Sequence, residues 1–314
     1  MRSLLITGLK LVVSVGLLSY LIFNANLDGL TSVFSSTIPS LFVLAVLFFV
    51  LSNALGALQW YMLLQAQDLQ ITFRQAVVFY WIGVFFNNVL LGNIGGDAMR
   101  IYDVKRLTGD VSGGAAATFM DRFIGLFSTC TLALLAFVAL SEIRSLELVA
   151  ALVPIWLGLI LFLAMGLSRR VGAFIEDHII EPILPSMVTE LISRLRRSVI
   201  VYRHRVPLLG CVWLVSMGVQ LSRIFVYWSA GLAVGLKVGA IYFVAFQPVA
   251  AIVAALPISI GGLGVRENVM VELFSSVGSE PSTILAMSLL GYAAGIIASL
   301  LGGIAFIIRR VERA

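Results

Sequence analysis

Apolar runs of spanning length recur along this chain, and they restrict its fold more than any other feature. A backbone in lipid must satisfy its own hydrogen bonds, so a run of about 20 apolar residues crosses as a helix. The clear runs are 5–23, 38–64, 111–140, 147–167, 206–236 and 282–308. Two more, 73–92 and 239–260, lead into glycine pairs. Composition agrees: 60% of residues are hydrophobic, 12% are charged and the mean hydropathy is +1.05. No room is left for a sizeable soluble domain, so the chain reads as an all-α polytopic membrane protein. The net charge of +5 is then a topology signal first. A nucleic-acid partner would need a basic face on a soluble fold, which is not evident.

Lys and Arg mark cytoplasmic loops. Segment 168–205 holds Arg169, Arg170, Arg194, Arg196, Arg197, Arg203 and Arg205, and the C-terminus holds Arg309, Arg310 and Arg313, so both lie inside. Segment 24–37 has neither Lys nor Arg and lies outside, while 92–110 favours the inside through Arg100, Lys105 and Arg106. Parity then decides the two remaining runs. Between inside segment 168–205 and the inside C-terminus, runs 206–236 and 282–308 supply two crossings, so 239–260 enters and leaves on the outer face. By the same count 73–92 returns to the cytoplasmic face. The expected fold has about six spanning helices plus two oppositely oriented re-entrant hairpins, with returning limbs near 97–107 and 264–277. The alternative is eight full crossings with glycines serving helix packing. The chain reads as one transmembrane domain, 1–314, with pseudo-repeats of about 1–140 and 147–314 and a basic cytoplasmic segment, 168–205. Residues 1–23 read as a retained signal-anchor, both termini are cytoplasmic, and the setting is the inner membrane of a prokaryote.

The hairpin tips nearly repeat each other. Asn93-Ile94-Gly95-Gly96-Asp97-Ala98-Met99-Arg100 and Ser259-Ile260-Gly261-Gly262-Leu263-Gly264-Val265-Arg266 share Ile, Gly, Gly and Arg at the same offsets. Paired Gly-broken apolar segments point to a substrate site in a transporter. Each returning limb would begin with unsatisfied N–H groups, which favour an anion. Glycine lets the backbone turn sharply and lets a ligand approach. Arg100 and Arg266 follow one turn later, and a guanidinium fork matches phosphate oxygens. An Arg at membrane depth costs about 2.5–3.5 kcal/mol on insertion scales, so each needs a partner. Asp97 and Glu267 are the nearest carboxylates, which neutralise the arginines or hold a substrate ammonium. Asp121 and Arg122 interrupt run 111–140 and mark a cytoplasmic mouth. Arg223 sits mid-run, either lining the lipid path or pinning two helices. The expected substrate-binding set is Gly95, Gly96, Asp97, Arg100, Asp121, Arg122, Arg223, Gly261, Gly262, Arg266 and Glu267. Asn87 and Asn88 satisfy broken backbone groups or contact substrate. Pro248 and Pro257 free carbonyls that can line a cavity.

Other features are plainer. Cys130 and Cys211 form no C-x-x-C and read as small buried hydrophobes. A basic helix is expected near 187–203, lying on an anionic leaflet or serving as a positive-inside anchor. His178 and His204 have no metal-ligand neighbours. No G-x-S-x-G, H-E-x-x-H or phosphate loop with Lys-Ser or Lys-Thr occurs, so no catalytic residue, metal or cofactor is expected.

Three motifs carry a resemblance. Asn-Asn-x-Leu-Leu-Gly-x-Ile-Gly-Gly-Asp-x-x-Arg at 87–100, Thr118-Phe119-Met120-Asp121-Arg122-Phe123-Ile124-Gly125, and the segment from Pro257 to Glu267 are similar to the lysylphosphatidylglycerol synthase transmembrane-region family, over nearly the whole chain. The resemblance implies lipid translocation. In the member fused to an aminoacyltransferase, aminoacylated phosphatidylglycerol moves from the inner to the outer leaflet. That soluble domain is not seen here, so synthesis is not expected. Stand-alone members are linked to other lipids, including polyprenyl-phosphate sugars and hopanoids. The implied substrate position falls on Gly95, Gly96, Arg100, Gly261, Gly262, Arg266 and Glu267. The expected function is a lipid flippase for a phosphate-headgroup lipid, either an aminoacylated phospholipid or a polyprenyl-phosphate-linked sugar. Its partners are membrane lipids, with a separate lipid-modifying enzyme as a candidate and no nucleic acid. Two rivals stand beside it: a membrane-embedded glycosyl- or phosphotransferase using Asp97, Asp103 or Asp121, and a non-transporting scaffold for a partner synthase.

Overall fold

The computed structural model describes residues 16, 17, 19–21, 32–89, 95–140, 146–168, 174, 199–256, 258, 259 and 261–311. Among them the regular structure is helical, with no strand. The helices are α1 Pro39–Ala66, α2 Phe73–Val89, α3 Gly95–Thr108, α4 Val111–Ala139, α5 Leu146–Leu167, α6 Val206–Ala233, α7 Ala240–Ala255, α8 Val265–Ser275 and α9 Pro281–Val311. Five of them, α1, α4, α5, α6 and α9, are long and apolar enough to span a membrane. The sixth expected span, 5–23, lies outside the described residues apart from a few positions. So does the expected basic helix 187–203, apart from its end, where Val201–His204 forms a 3₁₀ turn.

Local signals place several helix starts. Pro39 opens α1 and Pro207 lies in the first turn of α6, where the missing N–H costs nothing. Asp110 caps α4 by accepting from Gly113 N–H at 3.0 Å, as N-cap carboxylates do. Glu267 accepts from Gly264 N–H at 2.7 Å and holds the first turn of α8.

Helix order and length recur. Helices α1 to α4 have 28, 17, 14 and 29 residues; α6 to α9 have 28, 16, 11 and 31. Packing recurs with them: α1 lies on α6, α2 on α9, and α7 on α4. The pairs α2–α3 and α7–α8 are antiparallel hairpins. In the first, Gly83 meets Gly96 near the tip, while Phe79 and Asp103 share Arg309 near the base. In the second, Gly262 meets Ala254 near the tip, and Phe274 packs on Phe243 and Phe246 near the base. The two bases sit at opposite ends of α4: Gly114 abuts Val104, and Phe137 packs on Phe246.

Two apolar cores result. One surrounds Trp60, Leu64, Tyr80, Val104 and Met120 by the first hairpin; the other surrounds Ile224, Phe243, Phe246, Met270 and Phe274 by the second. Ile297, Leu300, Leu301, Ile304 and Ile308 of α9 face outward, as a lipid-facing helix requires. Cys130 is buried as expected, but Cys211 is exposed; it lies on the outward face of α6, where lipid can take the place of a packed core.

Small residues let the helices approach closely, the usual basis of packing where lipid tails are as apolar as the side chains. A Cβ on Gly302 of α9 would stand 1.9 Å from the Trp81 carbonyl oxygen of α2. We expect Gly302→Ala to destabilise the fold by about 1–3 kcal/mol through overpacking. Thermal unfolding of the detergent-purified protein, followed by size-exclusion chromatography, checks this; an unshifted midpoint would show that α2 and α9 do not pack there.

Candidate functional site: an arginine-rich cavity between the hairpins

A cavity of about 500 Å³ lies between the two hairpins, within the range of ligand-binding pockets. Both halves of the chain supply its wall: Asn53, Gln59, Tyr80, Arg100, Asp121 and Arg122 from the first; Gln220, Arg223, Tyr227, Gln247, Arg266 and Tyr292 from the second. Four guanidiniums converge on it. Among the described lining residues, Asp121 is the one carboxylate.

The first half neutralises itself. Arg100 is 3% exposed. Its Nη1 donates to Asp121 Oδ2 at 2.9 Å and its Nη2 to Asp97 Oδ1. Arg122 grips the same Asp97 with both ends of its fork, Nε to Oδ2 at 3.0 Å and Nη2 to Oδ1 at 2.8 Å. Gln59 Nε2 donates to Asp121 Oδ1 at 2.9 Å. The Arg100 guanidinium also lies over the rings of Tyr80 and Trp60, 4.9 and 5.3 Å from their centroids, a favourable placement for a desolvated cation. Two acids and two bases thus form a closed network joining α3 to α4.

The second half does not. Arg266 Nη1 donates to the Tyr227 hydroxyl at 3.0 Å and Nη2 to the Gly261 carbonyl at 3.2 Å, with Tyr292 beneath it at 5.9 Å. Glu267, the carboxylate expected to offset it, turns away. It is 0% exposed and accepts from Gly264 N–H and from Ser288 Oγ at 3.2 Å. One residue along a helix rotates a side chain by about 100°, so neighbours in sequence face apart. Among the described residues, Arg223 has no ion pair or hydrogen bond.

The expected site residues therefore separate. Arg100, Asp121, Arg122, Arg223, Gly261 and Arg266 line the cavity. Asp97 stands behind it as the clamp on Arg100 and Arg122. Gly95 opens α3. Gly96 serves packing: its N–H donates to Asn87 Oδ1 at 2.9 Å, and a Cβ there would lie 1.9 Å from the Gly83 carbonyl oxygen. Gly262 holds φ at 77° beside Ala254, a left-handed turn that suits glycine. Asn87 meets the backbone need foreseen for it and also faces the cavity. Pro257, Ile260 and residues 90–94 lie outside the described residues.

Sequence reasoning missed the aromatic seats Trp60, Tyr80, Tyr227 and Tyr292, and the amides Asn53 and Gln59. The amides carry a signal, being polar interruptions of the apolar run 38–64. The aromatics carry none, since a ring in an apolar run is equally a core residue. Also missed is a buried pair at the base of the first hairpin, Arg309 Nη1 to Asp103 Oδ2 at 2.6 Å.

The model of the lysylphosphatidylglycerol synthase transmembrane region matches residues 8–303. The chain belongs to this family. It is similar to a UPF0104 membrane protein of Methanothermobacter thermautotrophicus, 24% identical over 96% of this chain and 92% of that protein. It is also similar to the UPF0104 membrane protein PH1989 of Pyrococcus horikoshii, 22% identical over 94% and 95%. The resemblance read from the three motifs is thus borne out. All three fall on the cavity or directly behind it: Arg100 and Asp97, Asp121 and Arg122, Gly261 and Arg266.

The two arginine environments should respond differently to mutation. Removing one partner of a buried ion pair costs up to about 3–5 kcal/mol, so Asp121→Ala should lower thermal stability by leaving the buried Arg100 with Asp97 alone and Gln59 without its carboxylate acceptor. Removing Arg223, which no bond holds, should change stability by less than about 1 kcal/mol. Paired melting curves of the two variants check the contrast; equal losses would contradict this division of the cavity.

Proposed function

We propose that this family member is a lipid translocator that moves a phosphate-headgroup lipid between leaflets. The observation that carries the proposal is the cavity shared by both halves, with four arginines and one carboxylate among the described residues of its wall. Guanidiniums are the side chains best matched to phosphate oxygens. The headgroup enters this polar chamber and the tails stay in lipid.

In this reading α2–α3 and α7–α8 are re-entrant hairpins that enter from opposite faces and make an inverted repeat, with halves of about 1–140 and 147–314. Their limbs support it: at 1.5 Å per residue, α3 is about 21 Å long and α8 about 16 Å, against a hydrocarbon core of about 30 Å. The placement of the two bases at opposite ends of α4 supports it too. The basic loops set both termini in the cytoplasm, and the relatives come from prokaryotes, consistent with a prokaryotic cytoplasmic membrane. We read the chain as a carrier and not an enzyme, because Asp97, Asp121 and Asp103, the carboxylates a transferase would use, are each held by a guanidinium. A separate enzyme would make or consume the lipid.

The test is leaflet exchange in liposomes that hold the purified protein. Fluorescent phosphatidylglycerol should redistribute faster than in empty liposomes, and Arg266→Ala should slow it about tenfold, the weight of one charge-assisted bond. Unchanged exchange in both Arg100→Ala and Arg266→Ala would defeat the proposal. For topology, a cysteine at Thr108 should react with an impermeant reagent from the cytoplasmic face and one at Gly278 from the outer face, with 259–262 protected from bulky reagents. Full reactivity of the tips at the faces opposite their bases would show that both limbs of each hairpin cross completely and would defeat the re-entrant reading.

A further inference from the structure

We infer that the cavity selects headgroups with net negative charge, and that Arg223 and Arg266 form its phosphate subsite. This rests on the translocator reading for the identity of the ligand as a lipid, but not for the anion selectivity itself.

The argument comes from comparing the halves position by position. The tip motifs align at an offset of 166 residues, α1 with α6 and α2 with α7 at 167, and α4 with α9 at 170. Arg100 and Arg266 are then counterparts, and each meets an aromatic residue of the preceding long helix: Arg100 lies over the Trp60 ring and Arg266 bonds the Tyr227 hydroxyl. The carboxylates are not repeated. Asp97 corresponds to Leu263, and Asp121 corresponds to Gly291. Arg122 corresponds to Tyr292, which places a ring under Arg266 where the first half places a base. Arg223 corresponds to Gly56, and Gly56 is the position against which the Tyr80 hydroxyl packs in the first half. The scaffold is common and each half brings two guanidiniums to the cavity, but both acids that close the first network are absent from the second.

A guanidinium inside a helical membrane bundle without a counter-ion is costly even when partly buried, as Arg223 and Arg266 are. Arg266 has only neutral acceptors, a tyrosine hydroxyl and a carbonyl, and Arg223 has none among the described residues. Both line the same cavity. Asn53 adds a further donor: it is 1% exposed, it lines the cavity, and its Nδ2 has no hydrogen-bond partner among the described residues. Donors in surplus call for an acceptor-only ligand, and a phosphate monoester or diphosphate is one. The converse also holds. A cationic headgroup would need a free carboxylate, whereas Asp97 and Asp121 are taken up by Arg100 and Arg122, and Glu267 faces α9. An aminoacylated headgroup therefore fits this cavity poorly.

Equilibrium binding to the full chain in detergent tests the inference apart from transport. The probes are phosphatidic acid, lysyl-phosphatidylglycerol and inorganic phosphate, measured by titration calorimetry. Phosphatidic acid should bind at least about tenfold tighter than lysyl-phosphatidylglycerol, and Arg223→Gln should remove about tenfold of that affinity. That variant breaks no internal bond, so a folding defect does not confuse it; Arg203→Gln, an exposed charge off the cavity, should bind as wild type. Phosphate alone binding as tightly as phosphatidic acid would support the subsite and assign it to a soluble anion. Equal or tighter binding of lysyl-phosphatidylglycerol, or an Arg223→Gln variant with full affinity for phosphatidic acid, would overturn the inference. If the preference holds but no lipid exchanges between leaflets, the subsite stands and the translocator reading falls. If lipids exchange without charge preference, the reverse follows.

Discussion

A guanidinium buried in an apolar helical bundle has to find its counter-charge or its ring within the bundle, and the arrangement of this protein follows from how Arg100 does so. Its two carboxylates come from different places, Asp97 on its own helix and Asp121 on α4. Satisfying both fixes the returning limb of the first hairpin against a spanning helix at one register. Gln59 of α1 then bonds the same Asp121, so three helices are referenced to a single charge. The aromatic faces of Trp60 and Tyr80 complete the seat. Apolar packing alone would leave such helices free to slide, since lipid competes equally for their surfaces. The buried charges supply the specificity that hydrophobicity lacks inside a membrane.

Much of the fold was legible in the sequence because lipid imposes a simple rule on length. The spans 38–64, 111–140, 147–167, 206–236 and 282–308 correspond to α1, α4, α5, α6 and α9 within a few residues. The returning limbs expected at 97–107 and 264–277 are α3 and α8. The arginines were legible too, because a charge in an apolar run stands out. The partners were harder. Adjacency suggested Glu267 for Arg266, but helical rotation sends consecutive side chains to different faces, so Glu267 caps α8 and bonds Ser288 instead. Asp121, 21 residues from Arg100, could not be paired with it by spacing, because the contact depends on how α3 and α4 fold back on each other. Gly96 and Gly262 were read as ligand approach points; close helix packing and a left-handed turn account for them.

The two halves illustrate how one helical plan can be used for two purposes. Both present an arginine one turn after a glycine pair, seated on a ring. In the first half acidic neighbours absorb the charge, and the result is a rigid joint. In the second half Leu263 and Gly291 stand where those acids would be, and the charge remains available to the cavity. An anionic headgroup passing outward through such a chamber would also travel with an inside-negative membrane potential, at about 2.3 kcal/mol per charge per 100 mV.

The bases of the hairpins differ in a way that bears on motion. Arg309 at the end of α9 meets Asp103 of α3 among Phe79 and Phe306, with Asp103 almost fully enclosed. The corresponding place in the second hairpin holds the rings of Phe243, Phe246 and Phe274, with no ion pair among the described residues. Swinging the first hairpin would break the ion pair of Arg309 with Asp103, which is nearly enclosed. The first hairpin is thus the one tied to α9 by a charge at its base.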